Sequence, residues 1–459
     1  MCPAAWTHGV VIVGRRSSEL NTKNLEEQTE NAETRPALSA SVGEATSGNW
    51  FRTMSAVERR TFWAALTGFT VNSMHLQLMA VAIPTLMSVW SLSGAQAGTL
   101  RTIALASSAI GGWLGGAVAD RIGRARALRL SIVWFTTATF LAGFSRSYGQ
   151  LMVLGALQGL GFGAEWSAGS VLMGEVIAKE KRGRAVGTVQ GGWPLGYGSA
   201  VLLYSLVFSL VKPEFAWRLL FVLSVVPALI VLWIARKVEE PELFRKMKAM
   251  ANVEKRPSNM LQIFEPSVLP STLVATLLAA GTLGGNQTIL TWLPTYLNVV
   301  WKLSVLHTGG YLAVNLCGSF TGFLSGAHLS DRLGRRRTFV LMAGGAAVTL
   351  AVYTFAPLNK QAVLVLGFPL GFFQSGIVSG MGAAMAEMFP TRVRATAQGF
   401  SFNMGRGIGA IAPGMVGIMA ASMPLGRAIG LCAILSYAFV FVATAILPET
   451  RGKQLEADV

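Results

Sequence analysis

The sequence predicts an all-α membrane protein with twelve transmembrane helices in two pseudo-symmetric six-helix bundles. Three observations carry the prediction: a composition suited to lipid, a series of apolar segments of bilayer-spanning length, and a repeat that relates the two halves of the chain. Of 459 residues, 52% are hydrophobic and only 13% charged, and the mean hydropathy is +0.50. About a quarter of the residues of a soluble domain are charged, so the natural solvent of this chain is a bilayer.

The first element is a polar segment, residues 1–53, rich in Glu, Asn, Ser and Thr. Its short apolar run at 9–14 cannot span a membrane or serve as a secretory signal, so a disordered cytoplasmic tail is expected. The alternative start is Met54, where Met-Ser-Ala-Val-Glu-Arg-Arg leads into the first apolar segment. Twelve spans follow at 61–87, 98–119, 127–145, 150–174, 184–210, 216–236, 267–299, 306–329, 338–356, 361–386, 393–421 and 426–447. Each is close to the ~20 residues that a bilayer-crossing helix requires. The charged segment 237–266 divides them six and six, which gives a first bundle over 54–236, a cytoplasmic linker over 237–266, a second bundle over 267–447 and a C-terminal tail over 448–459.

Orientation follows from the basic residues. The loops after spans 2, 4, 6, 8 and 10 hold 21 Lys and Arg, whereas the alternate loops and span ends hold seven. Lys and Arg accumulate on the cytoplasmic side, which places both termini in the cytoplasm of an inner-membrane protein. The net charge of +16 does not indicate a nucleic-acid partner, because that needs a polar basic face and these bases lie between apolar segments. Cys2, Cys317 and Cys432 are too scattered for a disulfide framework, and His8, His75, His307 and His328 lack zinc spacing. With no nucleotide loop or nucleophile elbow, an enzyme and a bound cofactor are not expected.

The repeat is the third observation. Residues 111–129 read GGWLGGAVADRIGRARALR and residues 322–337 read GFLSGAHLSDRLGRRR. Asp120, Arg121, Gly123, Arg124 and Arg126 thus recur as Asp331, Arg332, Gly334, Arg335 and Arg337. Pro84-Thr85 recurs as Pro294-Thr295, the Arg182 to Ala185 stretch as Arg392 to Ala395, and Gly196-x-Gly198 as Gly407-x-Gly409. Two similarly oriented halves with a central binding cavity follow from such a pattern.

The doubled G-x-x-x-D-R-x-G-R motif, the twelve spans and the long central loop resemble the major facilitator superfamily over about 55–453. More narrowly, 161–200 (GFGAEWSAGSVLMGEVIAKEKRGRAVGTVQGGWPLGYGSA) and 389–406 (FPTRVRATAQGFSFNMGR) are similar to metabolite:proton symporters of the sialate, lactate and aromatic-acid type. The ending Pro448-Glu449-Thr450-Arg451-Gly452-Lys453 resembles that of sugar porters, a widespread ending that says little of substrate. The resemblance implies alternating access with a cytoplasmic latch at the doubled motif.

Physics makes the same motif interesting. Asp120 sits at a helix carboxyl end, where an unpartnered carboxylate costs roughly several tenths of a kcal/mol. Candidate partners are the arginines just after it and the amino end of span 11. Gly115 and Gly116 allow close helix approach, and Gly123 a tight turn. Glu175 with Arg182 and Arg184, and Glu387 with Arg392 and Arg394, are the companion gating charges.

Transport chemistry is expected deeper, because an ionisable group at bilayer depth is costly enough to mark function. Glu165 in span 4 is the candidate proton carrier, and Arg406 in span 11 can hold a carboxylate through two parallel hydrogen bonds. Gln77, Gln158, Trp193, Tyr197, Asn286, Gln287, Trp292, Gln374 and Asn403 are further cavity candidates. The similar symporters usually carry acidic residues in span 1, where this chain has Asn72 and His75, and an arginine in span 4, where it has Gly155. Proton coupling then rests on Glu165 or on His75, whose ordinary pKa near 6.5 suits proton carrying.

The expectation is a monomeric transporter in the lipid bilayer that moves a small carboxylate with H⁺ as the coupling ion. The alternatives are a facilitator, a proton-coupled carrier of sugars or other uncharged metabolites, a drug exporter, or a transporter-like nutrient sensor, for which the tail and linker leave little room.

Overall fold

Serine, asparagine and proline mark helix starts along the chain. Ser55 and Glu58 close a capping box on α1 (Ala56–Trp90), and Ser93 with Gln96 does the same for α2 (Gly94–Ile122). Such boxes satisfy two of the backbone N–H groups left free at a helix start. Helix α3 (Arg124–Ala142) follows at once, and Ser147 caps α4 (Tyr148–Val176). The computed structural model describes residues 50–254, 260–303 and 305–455. The expected tail lies outside the described residues up to residue 49, as do 255–259 of the linker and 456–459 at the end. Residues 50–53 make a turn in which Thr53 Oγ1 donates to the Trp50 carbonyl (2.9 Å), in a unit separate from the one that begins at Ser55.

Three spans that read as continuous are broken. Span 5 is α5 (Arg182–Gln190) and α6 (Gly192–Leu210), span 6 is α7 (Pro213–Leu223) and α8 (Val225–Ala235), and span 11 is α14 (Arg394–Gly409) and α15 (Ile411–Met419). The cause is proline. Pro194, Pro227 and Pro413 lack the N–H that would bond the carbonyl four residues back, which belongs to Gln190, Leu223 and Gly409. Those are the residues at which α5, α7 and α14 end.

Between the broken rods stand the linker helix α9 (Glu242–Glu254), then α10 (Leu269–Val299), α11 (Val305–Leu333), α12 (Arg335–Phe355) and α13 (Lys360–Met388, capped by Asn359), with α16 (Leu425–Ile446) closing the series. No strand occurs among the described residues. Among the described residues eight rods are long and apolar enough to cross a membrane by length and composition: α1, α2, α5–α6, α7–α8, α10, α12, α13 and α16. The others, α3, α4, α11 and α14–α15, stand where spans are expected but are richer in glycine, polar or charged residues.

The halves mirror each other in packing. Helix α2 runs along α4 as α11 runs along α13, and between halves α2 meets α14 while α5 meets α11. The second contact type is close because Gly112 and Gly116 of α2 lie against Asn403 and Ala395 of α14, where a Cβ would collide. Glycine at such a crossing lets backbones approach without a hydrophobic driving force.

Candidate functional site

The charges at the basic-loop end of the bundle form two networks. In the first, Arg124 pairs with Asp120 (3.0 Å) and with Glu175 (3.1 Å), and Arg394 reaches across from the second half to Glu175 (2.7 Å). Asp120 also caps α14, accepting from the Ala395 N–H (3.2 Å), the Thr396 N–H (2.8 Å) and the Thr396 hydroxyl (2.6 Å). A carboxylate at a helix amino end meets both the free N–H groups and the favourable end of the dipole.

The second network repeats the first with the halves exchanged. Arg335 pairs with Asp331 (2.9 Å) and Glu387 (2.7 Å), and Arg182 of the first half reaches Glu387 (3.0 Å). Asp331 caps α5 through the Gly183 and Arg184 N–H groups, each at 2.8 Å. Asp120, Arg124, Glu175, Arg182, Asp331, Arg335, Glu387 and Arg394 are therefore brought together, but the companion pairs differ from those expected: Glu175 takes Arg394 rather than Arg182 or Arg184, Glu387 takes Arg182 rather than Arg394, and Arg184 lies against Asp331 (3.4 Å). Arg121 and Arg332 are exposed, and the arginine four residues after each aspartate takes the pairing with that aspartate. Arg392 pairs with Glu265 (3.2 Å) rather than with Glu387.

Two acids missed from sequence complete the layer. Glu240 accepts from the Ala125 and Arg126 N–H groups (3.1 and 2.9 Å), and Glu449 from those of Arg335 and Arg336 (2.9 and 3.2 Å). Each caps the helix after a motif glycine, Gly123 (φ 113°) or Gly334 (φ 94°), whose backbone disfavours any side chain. A Cβ on either glycine would strike the capping carboxylate. Partial burial pushes the Glu449 carboxyl up, but the N–H groups of Arg335, Arg451 and Arg336 outweigh it and hold it below the ordinary range. The available signal was positional: both acids sit beside a proline just after the sixth and twelfth spans.

Above this layer lie the deep ionisable groups. Glu165 on α4 is buried (1% exposed) and its Oε2 accepts from Asn72 Nδ2 at 2.8 Å. The same Asn72 amide donates to the Phe162 carbonyl (3.2 Å). Arg406 on α14 is held between two aromatic faces, 4.9 Å from the Phe162 ring and 5.0 Å from the Phe402 ring, with Nη1 donating to Ser108 Oγ at 3.1 Å. Among the described residues no carboxylate lies within 4.0 Å of its guanidinium. Phe402 stacks on Trp166 (3.7 Å, 15°), whose indole N–H donates to Gln190 (3.1 Å). A small cavity of about 10 Å³ beside Glu165 and Gln190 has room for roughly one water molecule.

Other candidates divide. Gln77, Gln374 and Asn403 are buried, and Gln77 Oε1, Gln374 Oε1 and Asn403 Oδ1 bond to no described residue, a state that costs about 1–3 kcal/mol each. Trp193 packs edge-on to Phe162 at 6.3 Å, and Tyr197, Asn286 and Gln287 are half-buried.

His75, Gln158 and Trp292 stand elsewhere. His75 Nε2 bonds the Ser224 carbonyl at the break in span 6 (2.9 Å), with its ring edge-on to Phe135. Trp292 donates to the Pro413 carbonyl at the break in span 11 (2.9 Å), and Gln158 to the His75 carbonyl (2.8 Å). His75 and Trp292 serve the backbone of broken spans, as buried breaks in membrane helices require, whereas Gln158 bonds a carbonyl of the unbroken α1. Among the described residues no His, Cys, Asp and Glu cluster could hold a metal ion.

The comparisons agree with this architecture. The family described as Major Facilitator Superfamily matches residues 65–414 and 312–456. A probable 4-methylmuconolactone transporter of Cupriavidus pinatubonensis is 39% identical over 410 residues, covering 89% of this chain and 94% of that relative. The cis,cis-muconate transport protein of Acinetobacter baylyi is 31% identical, covering 86% and 95%. Among solved structures, the proton:xylose symporter XylE bound to 6-bromo-6-deoxy-D-glucose superposes with a TM-score of 0.74 at 17% identity, covering 87% of this chain and 98% of that one.

Proposed function

We propose that this chain, which belongs to the major facilitator superfamily and is a multi-pass membrane transporter of a small molecule rather than an enzyme, carries a flat organic carboxylate together with a proton. Arg406 receives the carboxylate and Glu165 carries the proton. The observation behind this reading is a deep arginine held between two aromatic rings with no acid among the described residues beside it. A buried cation without a counter-ion is expensive, and a substrate carboxylate supplies the missing charge through two parallel hydrogen bonds. The relatives named for muconate and 4-methylmuconolactone transport support that class of cargo.

In the proposed orientation the basic loops and both termini are cytoplasmic, in an inner membrane, and the chain works as a monomer. Both charge networks are closed, so this conformer is shut toward the cytoplasm, and alternating access opens them. Asn72 cannot titrate, so the pair that it forms with Glu165 leaves Glu165 as the proton-carrying member, with H⁺ the coupling ion.

Uptake of radiolabelled cis,cis-muconate and benzoate into proteoliposomes tests both roles. Arg406→Ala is expected to abolish saturable uptake, and unchanged kinetics remove Arg406 from the site. Glu165→Gln is expected to keep substrate counterflow but lose accumulation driven by a pH gradient; a variant that still concentrates substrate assigns the proton elsewhere.

A further inference from the structure

At the end of the bundle opposite the charge networks, a cavity of about 500 Å³ opens between the α3–α4 turn and the start of α7. Its size lies in the range of ~300–1,000 Å³ common to small-molecule sites. Its walls are Phe144, Val211, Phe215, Leu219 and Val222, and its polar groups are Arg146 and Arg218. Phe144 and Phe215 are 57% and 67% exposed, which at this height means exposed to the bilayer margin rather than to the transport path.

Arg218 is fixed. Its Nη1 donates to the Gly143 carbonyl (3.1 Å) and the Ser145 carbonyl (2.6 Å), and its guanidinium lies over the Trp217 ring at 4.2 Å. Both bonds leave from one nitrogen, so Nε–H and Nη2–H donate to no described residue. Arg146 is exposed beside the same cavity. Among the described residues neither arginine has a carboxylate within 4.0 Å. Two like charges at one cavity repel unless an anion lies between them, and rigid guanidinium groups suit a phosphate.

We propose that this cavity is a binding site for an anionic phospholipid, the headgroup phosphate held by Arg146 and Arg218 and an acyl chain lying along Phe144 and Phe215. The combination of paired cations with a lipid-facing apolar wall selects a lipid over a free anion: a soluble phosphate would use the arginines and leave the aromatic wall idle. The site is independent of Arg406 and Glu165 and implies that the transporter's stability depends on the charge of the surrounding lipid.

The test is thermal unfolding of the purified full-length protein in neutral detergent, with added phosphatidylglycerol, phosphatidylcholine or inorganic phosphate. Phosphatidylglycerol should raise the melting temperature, because a ligand that binds the folded state stabilises it by mass action; phosphatidylcholine and phosphate should not. Arg146→Gln should lose most of the phosphatidylglycerol shift while its lipid-free melting temperature stays near that of the parent. Arg218→Gln also removes two carbonyl bonds, so its lipid-free value should fall and only its residual shift is compared. An equal shift with phosphatidylcholine, an equal shift with inorganic phosphate, or an undiminished phosphatidylglycerol shift in Arg146→Gln would each overturn the proposal.

Discussion

The two charge networks share one plan but differ in what surrounds them. Glu175 accepts three bonds, two from Arg124 and one from Arg394. Glu387 accepts four, two from Arg335, one from Arg182 and one from the Thr450 hydroxyl (2.7 Å). The first network is roofed by the linker helix, whose Phe244 ring lies 4.5 Å from the Arg124 guanidinium. The second is tied down by the C-terminal segment, where Lys453 Nζ donates to the Glu387 carbonyl (3.1 Å) and the Lys453 carbonyl accepts from Arg182 (2.9 Å). Identical motifs therefore make unequal locks, because the repeat fixes the ion pairs and the neighbouring chain decides how well they are held.

Breaking the stronger lock should cost most. Glu387→Gln strips the buried Arg182 of its carboxylate partner and leaves Arg335 with Asp331 alone, a loss of about 3–5 kcal/mol. Its melting temperature should fall further than that of Glu175→Gln; the reverse order would refute the inequality. The conformational readout sharpens the same contrast. Glu175→Gln should raise labelling of a single cysteine placed at Ser170, buried between the halves where Gln398 of α14 donates to it (2.7 Å), several-fold over the same reporter in the parent, since this lock has fewer bonds to lose; equal labelling would show that it does not restrain the closed form.

The smallest effect lies at the flanking caps. Glu240→Gln and Glu449→Gln each weaken one cap of about 0.5–2 kcal/mol, measured as the shift in thermal unfolding. For Glu449 the sign with pH is fixed: its carboxyl titrates below the ordinary range in the folded protein, so its contribution is present above the unfolded pKa and is lost as pH falls through the lower folded value. A parent and Glu449→Gln pair whose difference does not shrink on acidification would contradict this.

Much of this layer was legible because repetition marks function twice. Asp120 and Asp331 could be read with the arginines that follow them, whereas Glu175 and Glu387 were read with arginines of their own half and take Arg394 and Arg182 from the other; Arg121 and Arg332 are exposed. Glu165 and Arg406 stood out as charges inside apolar spans, where chance placement is costly. His75 was read as a proton carrier from its ordinary pKa and Trp292 as a cavity aromatic, yet both bond carbonyls in broken spans. Apolar runs conceal such breaks: Pro194, Pro227 and Pro413 sit among apolar neighbours that keep the run's average high while they withdraw a backbone donor. Glu240 and Glu449 were hidden because their partners are backbone N–H groups, which leave no trace in side-chain spacing.

In both networks the arginine that completes the set comes from the opposite half: Arg394 goes to Glu175 and Arg182 to Glu387. This is the reciprocity of a two-fold dimer, in which residue i of one copy meets residue j of the other and the reverse. Were the halves two identical chains, every substitution would strike both locks together and their strengths could never diverge. Joined head to tail in one chain, the same contacts become two separate genetic loci, and the inequality between Glu175 and Glu387 is a freedom that only the fusion permits.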